Sequence, residues 1–77
     1  MIRVTSASYV SDYVLRLGFN TGEVKTFDFS TVYHKGIFRK LQDTAYFRNF
    51  TIDASTVDWN NEIGFAPEFL YENGAPA

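Results

Sequence analysis

The single histidine, His34 in Tyr33-His34-Lys35-Gly36, is the first place to look for chemistry in this chain. An imidazole titrates near neutral pH and can serve as a general base, provided a nucleophile and an orienting partner are in reach. No such set stands near it, and the other reading is a histidine in a surface loop. The carboxylates offer a second possibility. Asp28, just before Ser30 and Thr31, would make a metal or acid–base site if it met Asp58 or Glu62. Standing alone, it would accept backbone N–H groups where a strand gives way to a helix. The step from Asp53 to Asp58 matches no metal-ligand spacing. The basic residues are a third possibility. Lys35, Arg39, Lys40 and Arg48, with Tyr33, Tyr46 and Phe50 nearby, suit nucleic acid, where cations hold phosphates and rings stack on bases. The same charges also read as a solvated helix face, with Arg39 near enough to Asp43 to pair, or as a patch for an acidic partner protein. The glycines stand singly, and no phosphate loop, dinucleotide fingerprint, nucleophile elbow or zinc-binding helix is present. The expectation is therefore a protein that is not an enzyme, with no cofactor and no metal.

The elements that must position these groups are legible in part. Ile2 to Tyr9 is rich in β-branched and small polar residues, and Ser11-Asp12 supplies turn chemistry. Tyr13, Leu15, Leu17 and Phe19 recur at period two, the mark of a half-buried strand. Gly22 closes the next turn with the positive φ that hairpins often need. In the returning strand, Val24 to Phe29, Val24 is out of phase with Phe27 and Phe29, so either a bulge intervenes, the favoured reading, or both faces are partly covered. From Ser30 the pattern becomes helical. Ser30 or Thr31 would cap a turn through Tyr33, while Ile37, Phe38 and Leu41 would share one side of the next. Asp43 would cap a second short helix bearing Tyr46, Phe47 and Phe50. Phe50–Asp53 and Thr56–Trp59 read as two strands joined at Ala54-Ser55. Ala66-Pro67-Glu68 opens a last helix, with proline at its first position and Glu68 at the positive end of the dipole. Phe69 and Leu70 would face inward, and Asn73-Gly74 would end the helix.

Composition sets the limits. Seventy-seven residues make one domain, and without cysteine it has neither a disulfide nor a thiolate metal site. Eight Phe, five Tyr and one Trp must supply the core, since each ring buries roughly 150–250 Å². A net charge of −2 argues against nucleic-acid binding by the whole surface. Residues 1–48 carry seven bases against four acids, whereas residues 49–77 carry five acids and no base. That asymmetry points to a charged partner or a solvated acidic face. No apolar run approaches the roughly 20 residues of a membrane span, and the start lacks signal-peptide character. The expectation is a soluble, cytoplasmic chain without membrane contact.

The residues also resemble a known family. Leu15, Leu17, Phe19, Gly22, Glu23 and Asp28 follow a Leu-x-Leu-x-Phe-x-x-Gly-Glu pattern with a later Asp. Gly36, Phe38, Leu41, Asp43 and Phe47 follow Gly-x-Phe-x-x-Leu-x-Asp-x-x-x-Phe. Trp59, Asn61, Pro67, Glu68, Leu70 and Tyr71 complete it. In this the chain is similar to small bacterial proteins grouped as domain of unknown function 2442, from about Ile2 to Glu72. It departs at one turn: where the family has Trp-Pro-Asn-Gly-x-Asp, this chain has Trp59-Asn60-Asn61-Glu62-Ile63-Gly64. The resemblance implies a compact α+β domain with an antiparallel sheet. It also implies relatives that stand alone or join a helix-turn-helix domain. Standalone members are often encoded beside another small protein, in arrangements like toxin–antitoxin pairs.

These readings converge on an α+β fold: a three-stranded antiparallel meander, one or two short helices, a second short hairpin and a short C-terminal helix. Residues 1–77 form a single domain, ordered over about 2–73, with 74–77 as a tail. The expected role is a protein-interaction module, the partner or antitoxin-like member of a two-gene pair, acting on a protein neighbour or on itself. The edge strand Ile2–Tyr9 would serve β-augmentation or self-association. Asp12, Tyr13, Trp59 and Phe65 are the contact candidates, and Lys35, Arg39, Lys40 and Arg48 form the charged patch. Nucleic-acid binding or autoregulation through Lys35–Arg48 is the alternative.

Overall fold

The computed structural model describes residues 1–53 and 55–77. Among these, β1 (Val4–Ser11), β2 (Val14–Phe19) and β3 (Val24–Asp28) form the expected meander, joined at its far side by β7 (Ala75–Pro76) in the order β1-β2-β3-β7. A second antiparallel sheet has the order β4-β5-β6, from β4 (Thr51–Asp53), β5 (Thr56–Trp59) and β6 (Ile63–Gly64). Between the sheets in sequence lie two 3-10 helices, Phe29–Thr31 and Gly36–Gln42, and the single-turn α1 (Thr44–Phe47). The last helix is α2 (Pro67–Asn73). The molecule is thus α+β and mostly sheet.

Period two explains the first sheet. Leu15, Leu17 and Phe19 of β2 point to one face, and Phe27 of β3 lies opposite Leu15 on that face. All are buried, as is Phe29 just beyond. The bulge expected at Val24 is not there: β2 and β3 pair in unbroken register from Val14↔Asp28 to Gly18↔Val24. Val24 is simply on the outer face, and Lys25 takes the inner position opposite Leu17. Its ammonium escapes the core by donating to the Tyr71 carbonyl at 2.6 Å, 4.0 Å above the Tyr71 ring. The register breaks lie instead in β1, between Val4 and Ser6 and between Tyr9 and Ser11.

The helical segment differs from expectation in kind. Asp28, not Ser30 or Thr31, caps the first 3-10 helix, accepting from the Ser30 N–H at 2.9 Å. Gly36–Gln42 is a 3-10 helix, in which residues three apart eclipse. Phe38 and Leu41 therefore share the inner side, and Ile37, expected beside them, is 44% exposed. Asp43 caps α1 as predicted, through the Ala45 N–H. Phe50 falls outside that helix. In the second sheet, the Ala54-Ser55 turn falls partly outside the described residues; Ser55 has a φ of 70°. Its carbonyl accepts from the Val4 N–H at 2.9 Å, tying the two sheets by backbone.

Residues 74–77, expected as a tail, instead return to the sheet. Lys25 pairs with Pro76 and Thr26 with Ala75, and the Ala77 N–H donates to the Val24 carbonyl. Pro76 is tolerated because β7 is an edge strand.

At the centre stands Phe29. Its ring meets Phe27 at 4.7 Å, Trp59 at 5.3 Å, Phe65 at 5.3 Å and Phe47 at 5.5 Å. Those rings come from both sheets, α1 and the loop before α2. Each such pair contributes about 0.5–1.5 kcal/mol beyond the area it buries, so this knot of rings replaces the staples that a short chain otherwise needs.

Candidate interaction surface

Half-exposed tyrosines, Tyr9, Tyr13 and Tyr33, form a set of mutually supported rings on the surface. The β1–β2 hairpin turns at Asp12, exposed and at a left-handed φ of 45°, and this presents Tyr13. The Tyr13 ring stands edge-on to Tyr33 at 4.9 Å and to the buried Phe47 at 5.5 Å. Its hydroxyl donates to the Gln42 carbonyl, and the Gln42 amide donates to the Tyr33 carbonyl at 2.8 Å. Tyr33 in turn meets His34 at 4.7 Å. Phe47 also meets Tyr9, at 6.2 Å, and the Tyr9 ring is covered by the Arg48 guanidinium at 4.8 Å. The result is a band running Arg48, Tyr9, Tyr13, Tyr33, His34. Arg39 borders it, one 3-10 turn before Gln42. Partial burial pushes the Tyr13 phenol up, and Tyr33, Asp43 and Asp12 add to the effect.

The expected contact residues are sorted by the fold onto different places. Asp12, Tyr13 and Arg48 lie on the band, with Arg39 at its border and Lys35 beyond His34. Lys40 faces away, paired with Glu62 at 3.0 Å, the one ion pair among the described residues. The expected Arg39–Asp43 pair is not formed. Trp59, expected as a contact, is wholly buried, and its indole N–H donates to the Phe47 carbonyl at 2.7 Å. Phe65 lies elsewhere, in a stripe of rings: it stacks on Phe38 at 5.1 Å and on Phe69 at 6.2 Å, with planes within 20° and 16°. Phe69, expected to face inward, packs edge-on against Phe27 yet stays 38% exposed. Sequence reading missed Tyr9 as a contact residue and missed the Phe38–Phe65–Phe69 stripe. Tyr9 was signalled only by weak alternation, and no period links rings drawn from three separate elements.

The groups weighed for catalysis are placed apart. Asp28 caps a helix, and Asp58 accepts from the Asn61 N–H at 3.0 Å. A shallow cavity of about 240 Å³ includes Asp28 with Thr26, Thr31 and Asn73 in its lining, and Asp58 is not part of it. His34 lines a second, of about 300 Å³, with Thr31, Val32, Lys35 and Phe38 and no carboxylate. Among the described residues no group of three or more His, Asp or Glu is placed to hold a metal. Nor is any helix there long and apolar enough to cross a membrane.

The turn that departs from the family pattern has its own solution. Asn60 and Asn61 both take positive φ, 55° and 57°, and the Glu62 N–H donates to the Trp59 carbonyl. That is the requirement of a type I′ turn, which asparagine tolerates without proline or glycine. Glu62 then accepts from Lys40, from the Asn60 amide at 3.2 Å and from the Tyr46 hydroxyl at 3.3 Å. These donors, Lys40 first, hold its carboxyl below the usual range.

Residues 4–76 match the model of a protein of unknown function, DUF2442. The chain belongs to this family. No curated protein and no solved structure matches it. Within DUF2442, then, this chain contributes an antiparallel scaffold whose family-pattern residues Leu15, Leu17, Phe47, Trp59 and Leu70 all lie in the core.

Proposed function

We propose that this DUF2442 protein is a non-enzymatic recognition domain that docks on another protein through the Tyr9–Tyr13–Tyr33 band. The observation that carries the reading is the fixed posture of those rings. Tyrosine and arginine are the residue types that anchor interfaces. Rings already held by edge contacts, with the Tyr13 hydroxyl bonded to the Gln42 carbonyl and the Tyr33 backbone held by the Gln42 amide, lose little further freedom on binding. Arg48, Arg39 and Lys35 bring positive charge to its border and ends, which suits a partner with an acidic rim. The resemblance adds the setting, a bacterial protein acting as the partner or antitoxin-like member of a two-gene pair, and the sequence's want of a signal peptide or long apolar run supports a cytoplasmic location.

Nucleic-acid binding through Lys35–Arg48 has weaker support. Arg48 covers the face of Tyr9 on which a base would stack, Lys40 is engaged by Glu62, and Asp12 and Asp43 flank Tyr13. The test is co-purification with the product of the adjacent gene, comparing the parent with Tyr33→Ala/Arg48→Glu. The double variant is expected to lose about 30-fold in affinity, equivalent to one hot spot. A control, Ser8→Glu on the exposed strand β1, should change nothing. No binding by the parent, or binding indifferent to the double variant, refutes the reading. Salt-sensitive duplex binding lost with Arg39 and Arg48 would favour the nucleic-acid alternative.

A further inference from the structure

The Phe38–Phe65–Phe69 stripe is a second surface, with charges of opposite sign at its two ends. At the Phe38 end, the cavity of about 300 Å³ is lined by Thr31, Val32, His34 and Lys35. Its only charged or protonatable lining groups are thus basic. At the other end, Phe69 lies on α2, whose exposed charged residues are Glu68 and Glu72. Residues three apart on a helix are neighbours, so Glu72 stands one turn along from Phe69. Lys25, the nearest base in contact with α2, is engaged by Tyr71. The one ion pair among the described residues is Lys40–Glu62, which leaves Lys35, Glu68 and Glu72 without an intramolecular counter-ion there.

We infer that this stripe is the contact between two copies of the chain related by a two-fold axis. An apolar strip that is basic at one end and acidic at the other is complementary to itself when turned end for end. Such a surface meets the condition for an isologous interface, in which each contact occurs twice. Laid antiparallel, Phe65 falls near the axis and Phe69 of each copy covers the Phe38 end of the other. Lys35 and His34 of one then face Glu72 of its mate. The rings of the stripe are not those of the tyrosine band, but the two surfaces meet at His34 and Lys35, so Phe69 and Glu72, which lie off the band on α2, are the positions that separate this pairing from partner recognition. It also differs from pairing through the β1 edge, where two register breaks and the Val4–Ser55 bond disturb a regular template.

Sedimentation equilibrium of the full chain from micromolar to millimolar concentration tests the inference. Lys35→Glu and Glu72→Lys change exposed charges with no partner in the fold, so neither endangers folding. Each is expected to weaken the dimer about tenfold, because a two-fold contact uses the pair twice. The double variant, which restores opposite signs across the axis, should return to within about threefold of the parent. Phe69→Asp, checked for folding by circular dichroism, should leave a monomer. A parent that is monomeric throughout overturns the inference. So does a dimer indifferent to these variants, or a double variant weaker than either single one. If the chain is monomeric and Glu72→Lys or Phe69→Asp, both off the tyrosine band, abolishes binding of the neighbouring gene product, the stripe belongs to that partner and the two-fold model falls.

Discussion

Glu62 ties three parts of the molecule together through one carboxylate: Lys40 of the long 3-10 helix, Tyr46 of α1 and Asn60 of its own turn. Because its folded pKa lies below its ordinary value, its contribution is fully present above about pH 4.3, the unfolded range. That contribution is lost as pH falls through the depressed folded value. Lys40 behaves oppositely: its pKa is raised, chiefly by the hydrogen bond to Glu62, so its share fades only as pH climbs through the alkaline lysine range. Glu62→Gln is therefore expected to flatten part of the acid limb of stability against pH, measured as the denaturant midpoint at a series of pH values. An unchanged acid limb would show that the carboxylate contributes nothing. None of this was legible beforehand. In the sequence Lys40 reads as part of a basic patch, because nothing in the spacing says that residue 62 folds back across it.

At the scale of elements, α2 and β7 act as one clasp on β3. Lys25 reaches the Tyr71 carbonyl, and the Tyr71 hydroxyl reaches Glu23. Gly74 makes the close approach possible. A Cβ there would lie 2.8 Å from the Leu70 carbonyl oxygen and 3.3 Å from that of Thr26, both of them backbone. Gly74→Ala is expected to cost about 1–3 kcal/mol by overpacking and to speed amide exchange at Ala77, whose N–H bonds Val24. Normal exchange at Ala77 would mean that the clasp absorbs the methyl. Several elements could be read in advance because their signals are local: the Leu15, Leu17, Phe19 alternation, the Asp43 cap and the Pro67-Glu68 opening. The failures have one physical cause. Lys25 on an inner face, the 3-10 winding that exposes Ile37, and a proline-bearing strand at the sheet edge all depend on what lies across the fold. The surface shows the same division. Tyr13 and Arg48 stand out by type, yet their union into one band is made across the fold, by Phe47 against Tyr9 and Tyr13, by Tyr13 against Tyr33 and by Arg48 over Tyr9.

For the whole molecule, Trp59 is the largest of the fully buried side chains, and its N–H serves the α1 carbonyl of Phe47. Trp59→Phe is expected to cost about 1–3 kcal/mol, because that carbonyl loses its donor in a dry setting. Urea titration measures it, and a midpoint unmoved from the parent would refute the assignment. A domain of this size holds only about 0.05–0.15 kcal/mol per residue in reserve, so one such loss is a large share of the whole. Phe29 carries a further implication. Since its ring is wedged among neighbours from either sheet, neither half has a dry interior of its own. Heating should produce one sharp calorimetric peak, and an excised hairpin segment should remain a random coil. For anyone wishing to transplant either docking face, the smallest portable unit is the entire family-matched stretch.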